Sequence, residues 1–174
     1  MKVPKADKAL REPSLYRHTH SREKENSTPQ ILASVREYLG SEKAEISVQR
    51  DEYGKPHLVG AEGIFVSVAH TDDICLVAVA EYEIGIDIES KSRSVKNPAS
   101  LARRYFCKDE IAQLGENPSP EAFNEMWVAK EALSKLIGRG VPCMRERSIF
   151  SDGIEIVGID DYEGYIVKIA RYCN

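Results

Sequence analysis

The stretch Ile84-Gly85-Ile86-Asp87-Ile88-Glu89 constrains this chain more than any other segment of comparable length. A period of two sends Ile84, Ile86 and Ile88 to one face of an extended strand and Gly85, Asp87 and Glu89 to the other. Same-face neighbours on a strand lie roughly 6.5–7 Å apart. Two ionised carboxylates held at that spacing repel each other unless a cation sits between them. A third acid follows well downstream, Glu131, in Trp127-Val128-Ala129-Lys130-Glu131.

The length of 174 residues accommodates one full domain or two small halves sharing a core. A net charge of −4 gives no basis for nucleic-acid binding. No apolar run approaches the roughly 20 residues of a membrane span, and Met1–Asp7 lacks the apolar core of a secretion signal. Cys75, Cys107, Cys143 and Cys173 are scattered without a CxxC pair, and three lie in or beside apolar segments. The expectation is a cytoplasmic protein with reduced structural thiols and no zinc site.

Residues 1–26 are polar and mixed in charge and read as a partly ordered arm, above all over 1–14. A helix is expected next, capped by Ser27 or Thr28, with Pro29 in its first turn, Ile31, Leu32, Val35 and Leu39 as its apolar stripe, and Gly40 as its stop. Strands are predicted at 45–50, 64–69, 74–80 and 84–89, with a turn at Asp51–Pro56, and the short links between the last three predict an antiparallel meander. Helices are predicted at 98–106 and 108–114, with Asn97 capping the first, and a long one at 120–137 that ends at Gly138. Two closing strands are expected at 154–159 and 164–170. The resulting class is α+β, with mainly antiparallel sheets packed on helices and a suggestion of duplication that no sequence repeat supports.

On the long helix Met126, Ala129, Leu133, Leu136 and Ile137 form the apolar side, and Glu131 and Lys135, four residues apart, share a nearly opposite face. Alone, that spacing reads as a solvent-exposed ion pair worth about 0.3–0.5 kcal/mol. Beside Asp87 and Glu89 it reads differently. Three carboxylates supply hard oxygen ligands for Mg²⁺, and a lysine one turn on reaches phosphate oxygens held by the metal.

Gly85-Ile86-Asp87-Ile88-Glu89 and Trp127-Val128-Ala129-Lys130-Glu131-Ala132-Leu133-Ser134-Lys135 together resemble the two signature motifs of 4′-phosphopantetheinyl transferases. Tyr53-Gly54-Lys55-Pro56 is similar to the family's GKP element, Val68-Ala69-His70-Thr71 stands at its SHS element, and Arg103–Phe106 with Glu110 resembles its RFF…E stretch. The resemblance covers residues 50–140 and is to the surfactin-synthetase type, which carries two pseudo-symmetric halves in one chain. It implies halves at 1–82, contacting coenzyme A phosphates, and 83–174, carrying the metal and catalytic motifs.

The implied reaction moves phosphopantetheine from coenzyme A to a serine of an apo acyl- or peptidyl-carrier protein and releases adenosine 3′,5′-bisphosphate. The resemblance further implies Asp87, Glu89 and Glu131 as Mg²⁺ ligands, Glu131 and Lys135 as catalytic residues, and Lys55, His70, Lys130 and Arg22 as coenzyme contacts. For Lys130 a packing role stands equally beside a direct contact, and for Arg22 a solvated arginine does. Ala69 departs from the family's serine, so one hydroxyl contact is missing, and Thr71 keeps the other. Trp127, Tyr105 and Phe106 read as core anchors rather than substrate platforms. The loop 138–142, with Gly138 and Gly140, is expected close to the coenzyme or the carrier. A monomer is expected, because both halves lie in one chain. Two rival readings are a non-catalytic coenzyme A or carrier-binding module of the same family and an unrelated metal-dependent phosphohydrolase. The carrier protein is not named by these residues.

Overall fold

A computed structural model describes residues 11–19, 26–72, 74–140 and 143–173. In chain order its elements are β1 (Ser14–Thr19), α1 (Thr28–Leu39), β2 (Ser47–Arg50), β3 (Pro56–Val59), β4 (Phe65–Thr71), β5 (Ile74–Ala80), β6 (Ile84–Ser90), α2 (Pro98–Tyr105), α3 (Lys108–Leu114), α4 (Pro120–Ile137), β7 (Ile154–Gly158) and β8 (Tyr165–Tyr172). Every strand pairing among the described residues is antiparallel, giving sheets of order β1-β5-β4 and β6-β8-β7 and the separate hairpin β2-β3. The architecture is α+β, as its residue pattern predicts.

Strand β5, Ile74-Cys75-Leu76-Val77-Ala78-Val79-Ala80, is buried along its whole length and so reads as a continuous apolar run rather than an alternation. Its residues nevertheless divide by parity. Ile74, Leu76, Ala78 and Ala80 join Ile84, Ile86 and Ile88 of β6 and Val167 and Ile169 of β8 in a core shared by the two sheets. Cys75, Val77 and Val79 face the other way, onto Ile31 and Val35 of α1. On the second sheet the outer face belongs to α4, whose Ala132, Leu133 and Leu136 pack on Ala170. One helix therefore covers each sheet, and the sheets share the middle.

Three elements depart from the pattern read in the sequence. Ser14–Thr19 forms β1, paired from Ser14↔Val79 to Thr19↔Ile74, although it lies in a stretch read as an arm. Pro56–Val59, of which the pattern assigns only Pro56, to a turn, is β3 opposite β2. The third departure is the meander, which stops at β5. Strand β6 pairs with β8 rather than β5, from Ile84↔Arg171 to Ser90↔Tyr165. The link to the first sheet at this point is a side-chain bond, Ile86 N–H donating to Ser67 Oγ at 3.1 Å.

Helix α4 starts where Ser119 Oγ accepts from Ala122 N–H at 3.2 Å, and it stops at Gly138 in the left-handed conformation. Near its first half Phe106, Phe123, Tyr105 and Trp127 form one aromatic cluster, with Phe123 and Trp127 stacked at 5.6 Å between ring centroids. Trp127 is thus an anchor between α4 and the α2–α3 region. No helix among the described residues is long and apolar enough to cross a membrane.

Candidate active site

The site depends on how closely β6 approaches α4. A Cβ on Gly85 would lie 2.0 Å from the Ala132 carbonyl oxygen and 2.4 Å from Leu136 N. Only a residue without a side chain lets the strand backbone rest on the helix at that distance. Two residues on, Asp87 then sits beneath the helix face that carries Glu131 and Lys135. That face is therefore covered by the sheet, and the exposed i,i+4 pair does not form. Lys135 Nζ instead reaches across to Asp87 Oδ1 at 2.8 Å.

Asp87 is 3% exposed, and its second oxygen, Oδ2, is buried with no hydrogen-bond partner. Glu131 lies beside it, half-buried. Burial, and next the charge of Asp87, push the Glu131 carboxyl up to about 7, against the pull of Lys135. Glu89 is raised by burial and by Asp87, while Arg93, whose NH1 lies 2.8 Å from Glu89 Oε1, holds it down. Thr71 also hydrogen-bonds Glu89.

The three acids predicted as ligands thus share one electrostatic neighbourhood. No group of three or more His, Cys, Asp or Glu side chains among the described residues stands at metal-binding geometry. Lys135 and Arg93 supply the counter-charge to Asp87 and Glu89 instead. The residues nonetheless fit a hard cation. An acceptor oxygen is buried and orphaned, and two further carboxylates are strained by like charge beside it.

Above Glu131 and Lys135 opens a cavity of about 260 Å³. Tyr53, Gly54, Lys55 and Pro56 form one wall, Ser67 and Val68 another, and Ser134, Gly138, Gly140 and Met144 the side nearest the end of α4. It lies between the β2-β3 hairpin with β4, from the first half of the chain, and α4 with the loop after it, from the second.

The remaining predicted residues are placed more variously. Lys55 lines the cavity, but its ammonium donates to Glu83 Oε2 at 2.7 Å and to the Leu136 carbonyl at 2.9 Å, clasping the C-terminal end of α4. His70 stands on the exposed end of β4 opposite Cys75 and does not line the cavity. Lys130 points into the protein, paired with Glu110 at 2.8 Å, both side chains fully buried. Arg22 lies outside the described residues, as do residues 141 and 142 of the loop after α4. Ala69 is wholly buried in the core between the sheets. A side chain there faces apolar neighbours, so the family's missing hydroxyl would not have pointed into this cavity.

Two participants escaped sequence reasoning. Arg93 was four residues beyond Glu89, a spacing with no meaning on a strand, and only the turn after β6 folds it back. Ser67 lay in an apolar run and gave no signal of its bond to Ile86.

Residues 83–166 match the model of the 4′-phosphopantetheinyl transferase superfamily. The chain is 30% identical over 99 residues to the 4′-phosphopantetheinyl transferase gsp of Aneurinibacillus migulanus, covering 55% of this chain and 40% of that protein. It is 30% identical over 114 residues to a 4′-phosphopantetheinyl transferase of Bacillus subtilis, covering 64% and 50%. A third relative, the 4′-phosphopantetheinyl transferase psf-1 of Bacillus pumilus, is 29% identical over 100 residues, covering 56% and 42%. The chain thus spans half or less of the length of these relatives. The matched region carries β6, the three helices α2–α4, β7 and the start of β8.

Proposed function

We propose that the protein transfers the 4′-phosphopantetheine group of coenzyme A to a serine hydroxyl of an apo acyl- or peptidyl-carrier protein. The observation that carries this reading is a cavity with walls from both halves of the chain, lined by Glu131 and Lys135, with the buried Asp87 bonded to Lys135 behind them. Its relatives' names support the same chemistry. The assignment to the two-half, surfactin-synthetase type, with halves at 1–82 and 83–174, is part of the proposal, as are a monomeric state and a cytoplasmic location. The four free cysteines accord with a reducing compartment.

In the proposed reaction the serine oxygen attacks the β-phosphorus of the coenzyme, a new P–O bond forms, and the bond to the bridging oxygen breaks. Adenosine 3′,5′-bisphosphate leaves with that oxygen. Glu131, the carboxyl that burial and the Asp87 charge raise in the metal-free protein, accepts the serine proton. Lys135 moves from Asp87 to the diphosphate, where its charge balances the negative charge that builds on the leaving group. Mg²⁺, held by Asp87, Glu89 and Glu131, would neutralise and orient the diphosphate. Lys55 and His70, with Arg22, are the proposed grip on the coenzyme's phosphates, Lys55 by exchanging Glu83 for phosphate.

The test is incubation with coenzyme A, Mg²⁺ and a panel of apo carrier proteins, read by intact-protein mass. A gain of one phosphopantetheine on the carrier serine is expected, and the order of kcat/KM across the panel names the preferred carrier. Tight coenzyme binding with no transfer to any carrier would identify a binding module. Phosphate release from small diphosphates without a carrier would identify a phosphohydrolase.

A further inference from the structure

We infer that Lys130 is a positioning residue, which orients Glu131 through the buried carboxylate of Glu110 and makes no contact with the coenzyme. This rests on the reading of Glu131 as the reacting base.

Lys130 is 1% exposed and absent from the cavity lining, although it adjoins Glu131 in sequence. Its ammonium has three protons to give and three acceptors in reach. Glu110 Oε1 lies at 2.8 Å, Cys107 Sγ at 3.6 Å, and the Arg147 carbonyl closes the set. A group so occupied, without exposed surface, reaches a ligand only by abandoning a buried partner.

Glu110 is itself a junction. Its Oε1 also accepts from Ile149 N–H at 2.7 Å, and its Oε2 accepts from Cys107 N–H at 2.7 Å at the start of α3. One carboxylate therefore ties together the beginning of α3, the middle of α4 and the segment 147–149. Successive residues on a helix project about 100° apart, so pinning Lys130 toward this junction fixes where Glu131 points. The helix is held from two sides, by the Lys130–Glu110 pair and by the close contact with Gly85. Rotation about its own axis, the motion that would carry Glu131 away from Asp87, is what both contacts oppose.

The test compares Lys130→Met with the double variant Lys130→Met/Glu110→Gln, measuring melting temperature, equilibrium coenzyme A affinity, and kcat and KM. Lys130→Met alone strands a buried carboxylate, and its kcat is expected to fall about 100-fold, the scale of a misplaced catalytic group. The double variant removes the stranded charge and keeps an acceptor for one backbone N–H. It is expected to regain most of the lost melting temperature, with coenzyme A affinity within about threefold of wild type, as for a lysine that never touched the ligand. Its kcat stays about 100-fold down, because the tie that aims Glu131 is gone. Should Lys130→Met fail to fold, the double variant carries the test.

A coenzyme A affinity about tenfold or more weaker in the double variant, despite a restored melting temperature, would mean that Lys130 binds phosphate and would overturn the inference. Restored kcat along with restored folding and affinity would overturn it too, because the lysine would then only neutralise the buried Glu110 charge and would not aim Glu131. A wild-type protein that binds coenzyme A but transfers nothing would sink the transferase reading, and the affinity comparison would still decide Lys130. Wild type that does not bind coenzyme A would overturn both.

Discussion

Glu131 lies half-buried beside Asp87 and carries a carboxyl raised from 4.5 to about 7. Between those values the folded protein holds a proton that the unfolded chain has released. The raised group therefore contributes stability that is full below about 4.5 and is lost as the pH rises toward 7. Glu89, raised for the same reasons, acts with the same sign. The metal-free protein is expected to lose several degrees of melting temperature, about 5 °C, across this window relative to Glu131→Gln. Parallel profiles for the two proteins would remove the assignment of Glu131 as the strained acid. Lys135 leads to a second expectation. Its ammonium competes with any divalent cation for Asp87, and a pair a third exposed on the lysine side is worth about 1 kcal/mol. Lys135→Met should thus bind Mn²⁺ alone about fivefold more tightly than wild type, by calorimetry or electron spin resonance, while losing transfer activity. Equal or weaker Mn²⁺ binding would show that the lysine is not standing in for the cation.

At the scale of elements, the approach of β6 to α4 is the feature most open to a single substitution. Gly85→Ala would place a carbon 2.0 Å from a backbone oxygen that no rotamer change can move. The helix must shift away, at a cost of about 3 kcal/mol or more, and Glu131 leaves Asp87 as it does so. A stable, fully active Gly85→Ala protein would show that the close contact does not set the site. Ser67→Ala should cost about 1–3 kcal/mol, because it leaves the buried Ile86 N–H unpaired, and denaturant unfolding measures it.

The same elements show how much the residues disclose unaided. Ile74–Ala80, Lys108–Leu114 and Pro120–Ile137 are read correctly to the residue, since dense apolar periodicity, Pro and Gly bound them. Ser14–Thr19 is not, because a short, mostly polar edge strand carries no pattern of its own; β5, and the bond from His18 to Ser34 of α1, place it. The partner of β6 is also hidden, since it lies at the far end of the chain and short connections point wrongly to β5. Of the site, the acids and Lys135 are legible as a motif with a chemical need. The inward turn of Lys130 and the clasp of Lys55 on Glu83 are not, because burial decides them and helical spacing alone does not.

For the whole molecule the decisive fact is that the two sheets, each with a helix on its outer face, share one interior between them. Ala69, Ile74, Leu76, Ala78 and Ala80 from the first share one core with Ile84, Ile86, Ile88, Val167 and Ile169 from the second. Neither half can open without exposing the apolar face of the other, and the cavity above Glu131 has walls from both. Lys55 adds a polar tie, from the β2-β3 hairpin to the last turn of α4. Unfolding should then be a single cooperative transition, despite the appearance of two halves. The chain has one tryptophan, Trp127, in the second half, so its fluorescence reports on that half alone. Far-UV circular dichroism reports on both. In urea the two signals are expected to share one midpoint, and Lys55→Met should lower that midpoint without separating them. Distinct midpoints would mean that the halves fold independently. The site would then be an interface between two domains, and substrate binding, rather than the shared core, would have to assemble it.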